Sequence, residues 1–271
     1  MHSPIAVIDF ETTGISPGQG ARATEVAIVL LQHGKVVDRF QSLMKTGAWI
    51  PPFITQLTGI TNAMVAAAPD AASVMHDAAR FVGDAPMVAH NAAFDRKFWQ
   101  AELLEAGLPA AQPFACTVLL SRRLYPQAPS HKLGTLVDYH RLPRTGQAHR
   151  ALADAEMAAA LLARMQHDLR THWRVTEPSY ALLQAVQRCA KPAVAALLAR
   201  YALDAEGGAA PIAGAATVEV QQARRRRGSE AGNGPSASVP AAACATTAAR
   251  TGSTPAASTS AAYVGAPLAI K

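Results

Sequence analysis

Asp9 and Glu11 stand two residues apart in Ile5-Ala6-Val7-Ile8-Asp9-Phe10-Glu11-Thr12-Thr13-Gly14, an apolar run closed by a turn signal. A short run rich in Ile and Val that ends this way reads as a buried strand. Strand side chains alternate, so Asp9 and Glu11 project to one face and Ile8 and Phe10 to the other. Two like charges side by side in a buried setting are costly unless something neutralises them. A divalent cation held by oxygen ligands does so. Taken alone, the pair reads rather as a strand end running out into solvent; partners elsewhere in the chain turn that reading round.

Two further clusters supply partners. His90-Asn91-Ala92-Ala93-Phe94-Asp95 starts at a strand end and finishes in the first turn of a helix, where a carboxylate is electrostatically favoured. His149-Arg150-Ala151-Leu152-Ala153-Asp154 opens the last strong helix, with Asp154 one turn in and His149 on the approach. Together Asp9, Glu11, Asp95 and Asp154 give four carboxylates, and His149 adds an imidazole. Two divalent ions about 3.5–4 Å apart can hold the attacking and leaving oxygens of a phosphoryl displacement, and they need several negative oxygens. A histidine suits removal of a proton from the attacking water near neutral pH. His90 reads as the end of its strand rather than as a ligand. These residues also have plainer readings: Asp95 as a residue that favours a helix N-terminus, Asp154 as a solvated helix position, His149 as a surface loop histidine.

The elements that must position these groups follow from periodicity. Residues 3–11, 24–32 and 36–45 read as three strands of an antiparallel meander, with His33-Gly34-Lys35 as a tight turn. Residues 46–69 read as irregular, around Pro51-Pro52 and Leu57-Thr58-Gly59. Asp70 caps a helix to about Val82, Met87–His90 is a short strand, and a helix runs from about Ala93 to a stop at Gly107. Phe114–Cys116 reads as a fifth strand and Thr117–Leu124 as a helix; Ser130 caps another helix through Tyr139, and residues 148–165 form the last strong helix. Three strands followed by alternating helices and strands argue for an α/β layered domain with a mixed sheet. Helices over 180–189 and 193–201 make a short helical extension within 169–206. From residue 207 the composition turns to Ala, Gly, Ser, Thr and Pro, which implies a disordered C-terminal tail over 207–271.

Bulk properties narrow the class. The chain has 271 residues and a sequence pI near 9.5. Residues 1–206 hold 19 Lys+Arg against 17 Asp+Glu, and residues 207–271 hold 6 against 2. The basic balance thus belongs mostly to the tail, where Arg224-Arg225-Arg226-Arg227 is either a solubilising run or a weak nucleic-acid or partner contact. Arg122, Arg123, Lys132, Arg141 and Arg144 are candidate phosphate contacts, with an ordinary solvated surface as the alternative. Cys116, Cys189 and Cys244 form no CxxC pair, so neither a zinc site nor a disulfide framework is indicated. With no basic leader and no apolar run near the roughly 18 residues of a membrane span, a cytoplasmic protein with no membrane association is expected.

The three motifs, in this order and spacing over roughly residues 4–165, resemble the DnaQ-like family of 3′→5′ exonucleases. The group is called DEDDh for its four acids and histidine; it includes the proofreading epsilon subunit of bacterial DNA polymerase III and stand-alone relatives. The resemblance implies a ribonuclease H-like fold with a five-stranded mixed sheet flanked by helices, here over residues 1–168. It implies two Mg²⁺ or Mn²⁺ ions, with Asp9, Glu11 and Asp154 as direct ligands, Asp9 bridging, and Asp95 helping to hold the second ion. It makes His149 the general base, sets Thr12, Thr13 and Gly14 beside the 3′-terminal nucleotide, and has Asn91 and Phe94 orient and pack the second motif. One departure is Thr58-Gly59-Ile60, where the epsilon subunit carries His-Gly-Ile; it bears on substrate contacts, not on catalysis.

The expected activity is release of nucleoside 5′-monophosphates from single-stranded or frayed DNA 3′ ends, of a proofreading or repair type. Trimming of RNA 3′ ends is the first alternative, because contacts to the 2′ position decide the sugar and no motif fixes them. A nucleic-acid-binding scaffold without catalysis is the second; the complete acidic set argues against it. A DNA polymerase assembly is a possible partner.

Overall fold

β1 (Ile5–Thr12) is buried along its whole length. Its alternate side chains enter two different cores. Ala6, Ile8 and Phe10 pack with Met75, Phe98 and Trp99 on one side of the sheet. Ile5 and Val7 pack with Ala155, Ala158 and Leu162 on the other. Asp9 and Glu11 continue the second row, so their face of the sheet is the one the last long helix covers.

The computed structural model describes residues 3–146 and 149–207. The tail from residue 207, with its arginine run, lies outside them apart from Gly207 itself. β1 pairs antiparallel with β2 (Ala23–Gln32), which pairs antiparallel with β3 (Lys35–Leu43). The β2–β3 hairpin turns on His33 and Gly34, at φ 51° and 76°, the left-handed pair that a two-residue hairpin loop needs. β4 (Met87–Ala89) and β5 (Phe114–Cys116) run parallel to β1, giving one five-stranded mixed sheet of order β3-β2-β1-β4-β5.

Residues 46–69 depart from expectation. They contain two short helices, α1 (Pro52–Thr58) and α2 (Asn62–Ala66). The supposed breakers are their boundary signals. Pro52 occupies the first turn of α1, and Gly59 closes it in the left-handed conformation at φ 73°. The Thr61 hydroxyl accepts from the Met64 amide and caps α2. As expected, Asp70 caps α3 (Ala71–Val82), accepting from the Ala72 amide.

α4 (Ala92–Glu105) and α5 (Thr117–Leu124) follow β4 and β5. Ser130 does not cap the next helix: α6 (Leu133–Tyr139) starts after Lys132, whose amide the Ser130 hydroxyl accepts at 3.3 Å. α7 (Ala151–Thr171) runs past its expected end at 165. It lies on β1 and β2 through Leu162 and through Ala151, Ala155, Ala158 and Ala159, whose small side chains let helix and sheet approach closely. α8 (Tyr180–Arg188) and α9 (Val194–Gly207) close the same core, with Leu182, Leu183, Val186 and Leu198 wholly buried. No helix among the described residues is long and apolar enough to cross a membrane.

Candidate active site

Asp9 and Glu11 leave the same face of β1, and α7 delivers Asp154 to that face from its first turn. The three side chains are buried, and one carboxylate oxygen from each lies within 4.8 Å of the other two. Asp154 is therefore not a solvated helix position, nor do Asp9 and Glu11 end a strand in water. Three anions do not gather in this way for their own stability. A set of three hard oxygen donors at this separation fits a divalent cation, and these residues could hold one.

Asp95 sits in the first turn of α4 at 0% exposure, outside that set of three. Its Oδ1 accepts from the Phe10 amide at 3.2 Å, which fastens α4 to β1 between Asp9 and Glu11. Asn91 precedes the helix in the left-handed conformation, φ 69°, and its carbonyl accepts from the Phe94 amide. Phe94 packs on Phe98 with ring centroids 5.0 Å apart. His90 falls just past the end of β4, in a turn, and its Nδ1 lies 2.8 Å from the Thr117 hydroxyl.

His149 stands just before α7 at φ 61°. It borders two spaces at once. One is a cavity of about 340 Å³ lined by Asp9, His90, Lys132, Thr135, Arg144 and Asp154. The other is a narrow slot walled by Glu11, Thr12, Gly14, Thr58, Leu57 and Phe94. Thus Asp9 and Asp154 lie on one side of one imidazole and Glu11, Thr12, Gly14 and Phe94 on the other, while Asn91, Asp95 and Thr13 line neither space. Of the candidate phosphate contacts, Lys132 and Arg144 line this cavity. Arg144 is also bound to the exposed Asp138, and Arg141 lines a different cavity. Larger cavities of about 680 and 570 Å³ lie away from the three carboxylates, beside Leu31 and Tyr180 and among Tyr125, His140 and Trp173.

The Thr12–Gly14 turn is fixed by its own polar groups. The Thr12 hydroxyl donates to the Gly14 carbonyl at 2.7 Å. Thr13 and Arg22 exchange two bonds, Thr13 N–H to the Arg22 carbonyl at 2.9 Å and Arg22 N–H to the Thr13 hydroxyl at 3.0 Å. A Cβ on Gly14 would stand 3.2 Å from the Ala21 Cβ, closer than packing comfortably allows.

Two acids missed in the sequence hold these parts in register. Glu25 lies directly opposite Glu11 in the β1–β2 pairing. Its carboxylate accepts from Arg150 Nη2 at 2.7 Å and Nε at 3.1 Å, and from the Ala151 amide at 3.0 Å. It thereby caps α7 from across the sheet, where Arg150 offers no side-chain cap. Burial alone would raise the Glu25 pKa, but Arg150, the Ala151 amide and Gln41 together hold it below the usual carboxylate value. Glu102 does the same for the first motif. It accepts from Arg22 Nε and Nη2 at 2.9 and 2.8 Å and from the Ala23 amide at 2.9 Å, tying α4 to the start of β2. An acid inside the apolar run of β2 was a readable signal for Glu25, because a buried charge needs a partner. Glu102 gave none, since glutamate is ordinary in a helix.

Comparison with known proteins agrees with this geometry. The exonuclease family model RNase T matches residues 6–162. The PolC-type DNA polymerase III of Halalkalibacterium halodurans is 36% identical over 169 residues, 62% of this chain but 12% of the polymerase. The 3′-5′ exonuclease DinG of Bacillus subtilis is 37% identical over 166 residues, 60% of this chain and 18% of DinG. The chain thus spans less than a fifth of the length of these relatives. Exonuclease X, solved with 5′ overhanging duplex DNA, is 28% identical, superposes with a TM-score of 0.53, and covers 68% of this chain and 99% of that one. The nuclease domain of 3′hExo, a DEDDh family member, has the same fold at 22% identity and a TM-score of 0.53, covering 62% of this chain and 93% of that domain. The five-stranded sheet and its flanking helices have the fold of the ribonuclease H-like DEDDh exonucleases, and with the family match over residues 6–162, more than half of its length, the chain belongs to the RNase T exonuclease family.

Proposed function

We propose that the protein is a metal-dependent 3′→5′ exonuclease that releases nucleoside 5′-monophosphates from DNA 3′ ends, in proofreading or repair. The observation that carries this reading is the convergence of Asp9, Glu11 and Asp154 within 4.8 Å beside the His149 cavity. DinG, a 3′-5′ exonuclease, and Exonuclease X, solved with DNA, support the direction and the sugar.

In this reading Asp9, Glu11 and Asp154 would hold two Mg²⁺ or Mn²⁺ ions, with Asp95 assisting. When bound, such ions offset the clustered negative charge and make a coordinated water more acidic. His149 takes the proton from the oxygen of the attacking water. Thr12, Thr13 and Gly14 lie beside the terminal nucleotide, with Phe94 packed nearby and Asn91 setting the start of α4. Lys132 offers its ammonium to a phosphate on the cavity side. Residues 1–168 form the catalytic domain, and residues 169–206 extend it.

The test is digestion of 3′-labelled DNA and RNA of one sequence by wild type and Asp9→Ala, with Mg²⁺ or Mn²⁺. The expected result is stepwise mononucleotide release from DNA by wild type and none by the variant. Faster digestion of RNA would reassign the substrate; equal activity of Asp9→Ala would sink the assignment. The polymerase relatives also make a polymerase assembly part of the proposal, and co-purification of a polymerase with the full chain checks it.

A further inference from the structure

Positive charge is segregated in the described part of the chain. Residues 106–137 and residues 178–203 contain no Asp or Glu, while each stretch holds three Lys or Arg. The fold brings the two stretches together. Arg123 Nε donates to the Cys189 carbonyl at 2.8 Å, joining the end of α5 to the end of α8. The Ser121 hydroxyl lies 3.0 Å from His131 Nδ1, holding the segment before α6 against α5. These two ties gather Arg122, Lys132 and Lys191 around His131, and all three cations are exposed. Burial first, then the Arg122 and Lys191 charges, keeps the His131 pKa below the ordinary 6.5, as expected of an imidazole with both cations close by.

Arg22, Arg39, Arg150 and Arg164 each hold a carboxylate within the fold. Among the described residues Arg122, Lys132 and Lys191 pair with none. Crowded cations with no acid between them repel one another, so they do not gather for the stability of the fold. They suit a polyanion. Lys132 also lines the catalytic cavity with Asp9 and Asp154. The basic face therefore begins at that cavity and crosses α5 to Lys191, in the short turn between α8 and α9. Lys191 lies beyond residues 6–162, the part that the exonuclease family model matches. A nucleic-acid backbone repeats its negative charge at every nucleotide and fits a face of this kind.

We propose that Arg122 and Lys191 continue from Lys132 as a phosphate track, which grips the digested strand several nucleotides upstream of its 3′ end and makes the helical extension a nucleic-acid-binding element. The proposal rests on the exonuclease reading above. Such a grip is independent of sequence and weakens with salt, because each phosphate neutralised releases counterions.

The experiment uses the full chain as wild type, Arg122→Gln, Lys191→Gln and Lys35→Gln; the last removes the same charge at the opposite edge of the sheet. Binding of a fluorescent icosathymidylate is followed by anisotropy in EDTA over a range of salt concentrations. The slope of log K against log salt should fall by roughly 0.7 in Arg122→Gln and in Lys191→Gln and stay at the wild-type value in Lys35→Gln. Steady-state kinetics with Mg²⁺ should show KM for the icosanucleotide raised roughly fivefold by either substitution on the track, with kcat unchanged. KM for a dinucleotide, too short to reach the track, should not move. An unchanged salt slope, an equal effect of Lys35→Gln, or equal losses on both substrates overturns the track. Polyglutamate that displaces the oligonucleotide as well as unlabelled DNA does would assign the face to an acidic protein and overturn it too. A wild type inactive on both substrates overturns the exonuclease reading instead, and the salt slopes measured without metal still decide for or against the track.

Discussion

Asp9, Glu11 and Asp154 repel one another when no cation lies among them, because their oxygens meet within 4.8 Å. Removing one should therefore have opposite effects on stability and on activity. Asp9→Asn is expected to melt at a higher temperature than wild type in EDTA. Wild type should gain roughly 5–10 °C when Mg²⁺ or Mn²⁺ is present at about a hundredfold excess over Kd, and Asp9→Asn should gain little. Differential scanning fluorimetry reads both, and a wild-type melting temperature indifferent to metal would count against the ion-binding role. At this scale the sequence was informative about the acids themselves, since a period-two strand fixes that residues 9 and 11 share a face. It was silent on Glu102, whose partners Arg22 and Ala23 lie in a distant segment.

Among the elements, α7 carries two of the five candidate catalytic groups on or just before its first turn, so its N-terminus must be held firmly. Glu25 does this through Arg150 and the Ala151 amide. Glu25→Gln should cost about 2 kcal/mol of stability, a moderate figure because Arg150 is partly exposed. It should also lower kcat roughly tenfold or more by loosening Asp154 and His149 against β1. Urea unfolding and turnover of labelled oligonucleotide measure the two effects; loss of stability with full kcat would limit Glu25 to a structural role. At the end of α6, His140 stacks edge-on with Tyr125 and Tyr139, with Arg164 and Asp168 nearby. Burial first, then the Arg164 charge, holds its pKa below the ordinary 6.5, against the pull of Asp168. The unfolded chain thus binds the proton more readily. Stability from this group is complete above about pH 6.5 and is lost as pH falls through the folded value. The drop in melting temperature between about pH 7 and pH 5 should be smaller in His140→Gln than in wild type.

On the scale of the whole molecule, the helices after α7 finish the sheet. β5 is an edge strand, and its open backbone is covered by α8. Gln187 accepts from the Cys116 amide at 2.8 Å, Gln184 donates to the Phe114 carbonyl at 2.8 Å, and the Tyr180 hydroxyl donates to the Pro113 carbonyl at 2.8 Å. An uncovered edge invites pairing with another chain. Ending the protein after Trp173 would remove the wholly buried Leu182, Leu183 and Val186. The expected cost is roughly 5 kcal/mol, with concentration-dependent self-association, read by urea unfolding and light scattering. A truncated chain as stable and as monodisperse as the full one would show that α8 and α9 merely decorate the fold.

The sequence by itself determined the local facts: the strands and most helices, the shared face of Asp9 and Glu11, and the order of the three acidic motifs. Each is written within a few residues, in side-chain period, caps and turn types. Even there, Pro51-Pro52 and Gly59 misled, because the residues that break one helix are those that begin and end a shorter one. Only the tertiary structure decided that Asp154 reaches the two acids of β1, that Glu25 clasps Arg150 across the sheet, and that α1 becomes a wall of the slot. Those contacts join segments far apart in the chain. They depend on strand order and on how closely alanine-lined α7 settles on the sheet, and no local pattern encodes either.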